Sequence, residues 1–148
     1  MDGDHGADGR RRRMERMRVL VLEPLIAPEV RTIPHTLEAM QELVGGNIEC
    51  TYPWPNDNAG LIASDDAIAL GYPLNRALID PDGNIYDIIK GTCFICGLSY
   101  GDFTDLPEDL IEKFSDMFQY PELYVREPTG RVLQIRVGSG EKPRVLWK

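Results

Sequence analysis

The chain has 148 residues, 43% of them hydrophobic and 27% charged, with a formal net charge of −8. That is the make-up of one ordinary globular domain. Residues 1–16 set five arginines against Asp2, Asp4, Asp8 and Glu15, which leaves 11 basic and 20 acidic residues in the remainder, net −9. A body this acidic repels phosphate backbones and anionic lipid, so nucleic acid is disfavoured as a partner. No apolar run approaches the roughly 18 residues that cross a bilayer. The arginines Arg10 to Arg13 precede no secretory h-region, and three cysteines are too few, and an odd number, for a disulfide scaffold. A cytoplasmic protein is expected.

Residues 1–16 lack apolar periodicity and are expected to form a disordered basic leader, with Met17 as an alternative start. The Arg10–Arg13 run is better explained as a solvated tail than as a nucleic-acid contact. Met17 to Glu23 is a near-continuous apolar run that predicts a central strand, and Glu29 to Ile33 predicts a shorter one between two prolines. Thr36 is the expected N-cap of a helix over Leu37 to Val44, ended by Gly45-Gly46. Asn47 to Tyr52 alternates as a strand. Leu61 to Ala63 and Ala67 to Leu70 look like two short strands around Ser64-Asp65-Asp66. Asp80-Pro81-Asp82-Gly83-Asn84 has turn composition, and Ile85 to Ile89 and Gly91 to Cys96 read as core strand. Asp105 with Glu108 resembles a capping box for a second helix running to about Phe118. Arg131 to Val137 predicts a C-terminal strand. The expected fold is α+β: a small mixed or antiparallel sheet packed by two helices in a single domain. Its divisions are a leader over 1–16, a core over 17–126, and a C-terminal strand and tail over 127–148.

Three constellations could carry chemistry. Cys93 and Cys96 stand in C-x-x-C spacing, and with Cys50 and His35 they make a possible four-ligand zinc set. The intervening Phe94 and Ile95 are strand formers, however, and on a strand positions 93 and 96 point to opposite faces, so buried structural cysteines are preferred and no metal is expected. Asp80, Asp82 and Asn84 resemble the start of a calcium loop, but Gly83 and Gly91 fall at the wrong positions. Neither common glycine-rich phosphate cradle is present, no cofactor is implied, and no catalytic residue stands out. The most distinctive stretch is Gly71 to Leu78, where Asn75 and Arg76 are polar residues held between apolar ones. Asn75, Arg76 and Tyr72 are therefore the candidate ligand-binding residues, because an arginine so placed can fork onto a carboxylate, a phosphate or backbone carbonyls. The competing expectation is that Asn75 caps a turn and Arg76 pairs with Asp80 or Asp87.

The blocks MRVLVLEP, LEAMQELVGGNIE and GYPLNRALIDPDGNIYDIIKGTCFICG, followed by an acidic helix, together resemble the domain of unknown function 3846 from Met17 to about Pro121. The resemblance carries no activity and no catalytic residue. It implies a small accessory protein of phages and conjugative elements. The first functional expectation is a non-enzymatic protein that occupies a host protein with its acidic surface, in a possible anti-defence role. The alternatives are a binder that sequesters a nucleotide-like anion through Asn75 and Arg76, and an enzyme working with buried carboxylates.

Overall fold

A computed structural model describes residues 15–147. The expected leader lies almost wholly outside them. Among the described residues eleven strands and two helices follow one another, and every strand pairing is antiparallel. The largest sheet runs β2 (Glu29–Pro34), β1 (Arg16–Leu22), β7 (Cys93–Ser99), β4 (Ala59–Ser64), β3 (Ile48–Thr51), with β8 (Asp102–Thr104) beside the far end of β7. A separate hairpin pairs β5 (Leu74–Ile79) with β6 (Ile85–Lys90). A third sheet joins β9 (Glu122–Arg126), β10 (Val132–Arg136) and β11 (Arg144–Trp147). The α+β expectation holds, but the single small sheet becomes three, and the boundary drawn at residue 126 falls inside the third.

The central strands are apolar at consecutive positions because both faces of their sheet are covered. On one face Met17, Val19, Val21, Ile62, Phe94 and Cys96 pack with Met40 and Val44 of α1 (Leu37–Val44). On the other, Leu20, Leu22, Leu61, Cys93 and Ile95 meet two different covers. These are Leu110, Ile111 and Phe114 of α2 (Glu108–Met117), and Leu78 and Ile89 of the β5–β6 hairpin. Trp54 closes this cluster, its ring 4.3 Å from that of Phe114.

Local chemistry sets most boundaries where expected. Thr36 accepts from the Ala39 amide and Gly45 ends α1 with a left-handed φ of 75°. Asp80 closes the hairpin turn by accepting from the amides of Asp82 and Asn84. Two expectations fail. Ala67 to Leu70 is a turn, not a strand, held by Leu70 N–H to Asp66 O and Tyr72 N–H to Ala67 O. Asp105 does not cap α2, whose N-cap is Pro107. Its carboxylate is taken by the Arg18 amide at 2.7 Å, while Arg18 O accepts from Leu106, so residues 105–106 satisfy the edge of β1 that β7 leaves open. β5, β8, β9 and β11 were not anticipated.

The junction of β7 with β8 leaves no room for a side chain at Gly97. A Cβ there would stand 2.1 Å from the Asp105 carbonyl oxygen, which is backbone and cannot swing aside. Gly97→Ala is expected to destabilise the fold by about 1–3 kcal/mol, read as a lower urea midpoint at unchanged slope.

Candidate functional site

Among the described residues the Asn75–Arg76 pair is the most deeply placed polar feature, each residue having no exposed surface. Asn75 Nδ2 donates to Leu22 O and Gly91 O, both at 2.9 Å. Its Oδ1 accepts from Arg76 Nη1 at 2.8 Å. The guanidinium also donates from Nε to Phe118 O, from Nη1 to Glu23 O and from Nη2 to Ile26 O. The chain's own carbonyls thus occupy four of the five donors that an anion would need. Asp80 and Asp87, the expected acidic partners of Arg76, take no part. The acid that does act on it is Glu122, 6% exposed, whose Oε1 accepts from the Ala77 amide, Gln134 Nε2 and the Tyr124 hydroxyl. Burial lowers the pKa of Arg76, and the charge of Glu122 is the largest influence opposing it. Burial, followed by the bond to Glu122, raises that of Tyr124.

Tyr72 lies apart from this pair. Its hydroxyl donates to Gly45 O, and an added Cβ would fall 2.7 Å from that hydroxyl at Gly45 and 2.8 Å from the ring at Gly91. It lines a surface depression of about 340 Å³ with Pro24, Leu43 and Thr92. The structure therefore does not bring Tyr72, Asn75 and Arg76 to one pocket.

The cysteines do not converge either. Cys93 belongs to the core under α2 and Cys96 to the core under α1, on opposite faces of one strand. Burial pushes each thiol up to about 12, and raises Cys50 as well, so none is a thiolate near neutral pH. His35 stands elsewhere, with Nδ1 3.8 Å from Glu15 and Nε2 3.5 Å from Asp102. Among the described residues no group of three or more His, Cys, Asp or Glu is arranged to hold a metal ion.

What does face solvent is a groove of about 260 Å³ between β6 and the β3–β4 edge of the large sheet. Glu49, Asp65 and Asp87 line it, together with Thr51, Lys90 and the 79%-exposed Ile68. Partial burial raises the pKa of Glu49, with further contributions from Asp65 and then Asp87. The free edge of β6 here is guarded: the Ile88 amide donates to Asp87 Oδ1 and the Ile88 carbonyl accepts from Lys90 Nζ. An added strand would find that position taken, so the groove is suited to side chains rather than to β-augmentation. Individually these acids gave no sequence signal, because residues 52–84 separate β3 from β6, the strands that bring Glu49 and Asp87 together.

Two consequences can be measured. Asn75→Ala would strip hydrogen bonds from two buried carbonyls and one guanidinium nitrogen, and is expected to cost about 3 kcal/mol in urea unfolding. For Glu49, whose carboxyl is shifted upward in the folded state, the charged form is the disfavoured one. Its contribution is favourable below the unfolded pKa of about 4.3 and is lost as pH rises through the folded value. Glu49→Gln is therefore expected to melt above the parent at pH 7, with the difference closing near pH 4 in thermal scans.

No helix of the described residues is long and apolar enough to span a membrane. No curated protein and no solved structure matches the chain. One family model does, over residues 17–119, from the start of β1 to just beyond α2. That stretch holds both cores, the Asn75–Arg76 pair and the acidic groove. The chain belongs to the domain of unknown function 3846 family.

Proposed function

We propose that this protein is a non-enzymatic binding module that uses its acidic face to occupy a cationic surface on a host protein. The observation that supports this reading is how charge is distributed and spent. Residues 17–119 contain five basic and seventeen acidic side chains, net −12. Each of the five cations is already engaged within the fold. Arg18 pairs with Glu108, Arg31 with Glu23 and Glu29, and Lys113 with Asp57. Arg76 is enclosed by carbonyls, and Lys90 donates to Ile88 O. The uncompensated carboxylates are left to set the surface potential, and the groove at Glu49, Asp65 and Asp87 concentrates three of them between low-dielectric walls.

Such a surface accelerates docking to a basic site, of the kind that otherwise holds nucleic acid, and repels nucleotides and phosphate backbones. An accessory role in a phage or mobile element, acting on a host defence or replication component in the cytoplasm, fits that chemistry. The reading that Asn75 and Arg76 hold a nucleotide-like anion gains no support from donors already spent on Leu22, Gly91, Glu23, Ile26 and Phe118.

The expected outcome is specific to charge. The triple variant Glu49→Lys, Asp65→Lys, Asp87→Lys is expected to fold and to lose the host partners that the parent captures from cytosol. Those partners are expected to be basic and to dissociate as salt rises from 50 to several hundred millimolar. Partners retained by the triple variant, or acidic and insensitive to salt, would contradict the proposal.

A further inference from the structure

A second cavity, of about 200 Å³, lies where the family-matched body meets the C-terminal sheet. Its apolar walls are Trp54, Ile79, Tyr86, Met117 and Phe118, and two charged residues, Glu122 and Arg136, complete it. The two charges are unusually disposed. Glu122 is more than nine-tenths buried, and all three of its hydrogen bonds go to Oε1. Among the described residues Oε2 has no partner. Among the described residues no fully enclosed side-chain oxygen or nitrogen lacks a bond, so Oε2 is not sealed off, and Glu122 is one of the residues that line this cavity.

Arg136 stands directly across the β9–β10 ladder from Glu122. Directly opposed residues have Cβ atoms about 4.5–5.5 Å apart and opposite charges there normally pair. Here they do not. Arg136 Nη1 bonds Glu141 and its guanidinium lies 5.2 Å above the Tyr120 ring, so it is drawn away from Glu122. A buried acceptor and a forked donor thus share one wall of an apolar cavity without satisfying each other.

We propose that this cavity binds a free α-amino acid with a large apolar side chain. The ammonium meets Glu122 Oε2, the carboxylate meets the remaining N–H groups of Arg136, and the side chain lies among Trp54, Tyr86, Met117 and Phe118. The charges select the zwitterion: an amine alone faces Arg136 and an acid alone faces Glu122. Size agrees, since a cavity of about 200 Å³ is at the small end of ligand sites and suits a compact molecule such as an amino acid. The site draws residues from both sides of the junction at residue 120, so an occupant would tie the C-terminal sheet to the body. This site is separate from the acidic groove, and its test is independent of the partner proposed above.

Isothermal titration of the full chain with leucine, methionine and phenylalanine provides the test, with isoamylamine, 4-methylpentanoate and N-acetyl-leucine as comparators. At least one of the three amino acids is expected to bind, and each comparator at least tenfold more weakly than leucine. Glu122→Gln keeps an acceptor for Ala77, Tyr124 and Gln134 but also removes the counter-charge of Arg76, so it is read beside its own melting curve, and at a temperature where it is folded it is expected to bind at least tenfold more weakly. Arg136→Gln, at a partly exposed position where the side chain otherwise meets only Glu141 and the Tyr120 ring, is expected to do the same with little change in the melting temperature of the unliganded protein. Absence of binding by all three amino acids would overturn the proposal. So would equal affinity for isoamylamine, or undiminished binding by Arg136→Gln.

Discussion

The fold depends on one buried polar clamp. Asn75 and Arg76, on the first strand of a hairpin that pairs with neither larger sheet, reach Leu22 and Glu23 at the end of β1, Ile26 in the loop beyond it, Gly91 before β7, and Phe118 at the end of α2. Those carbonyls sit where strands and a helix terminate, which is where backbone groups run out of regular partners. An arginine in an apolar interior is costly unless its donors are met and a counter-charge lies near. Both conditions hold, the second through Glu122. Glu122 in turn grips β5 through the Ala77 amide and β10 through Gln134, so one chain of polar contacts fastens the hairpin, the helix end and the C-terminal sheet to the body.

This clamp explains why the third sheet is turned as it is. Along β9 the alternation places Leu123 and Val125 outward, each 40% exposed, and Glu122 inward. Apolar burial alone favours the opposite orientation. The inward face instead supplies the carboxylate, the phenol and the amide that the hairpin edge and the guanidinium require.

Much of this was legible beforehand, and the limits have physical causes. Thr36 and Gly45-Gly46 bounded α1 because caps act within a few residues. The runs at Met17 and Cys93 marked central strands because both faces are buried. Asn75 and Arg76 stood out because a polar pair held between apolar residues requires an explanation. What that explanation was could not be read, since the partners lie 42 to 53 residues away in sequence, or across the hairpin at Gly91. Asp105 misled for a related reason: a capping residue has the same chemistry as one that satisfies a distant strand edge, and Arg18 is 87 residues away. β9 was missed because its apolar residues Leu123 and Val125 face solvent while Glu122 faces in.

With its conspicuous arginine committed to the interior, the family-matched body presents chiefly carboxylate to its surroundings, and the proposed function rests on that surface. Amide chemical-shift mapping tests this most directly, with the folded protein titrated by a lysine-rich peptide at about 100 mM salt. The account predicts saturable shifts concentrated at Glu49, Asp65, Asp87 and Ile68, reversed by added salt, and none at Asn75 or Arg76. Shifts scattered evenly over all faces, or centred on Arg76, would contradict it.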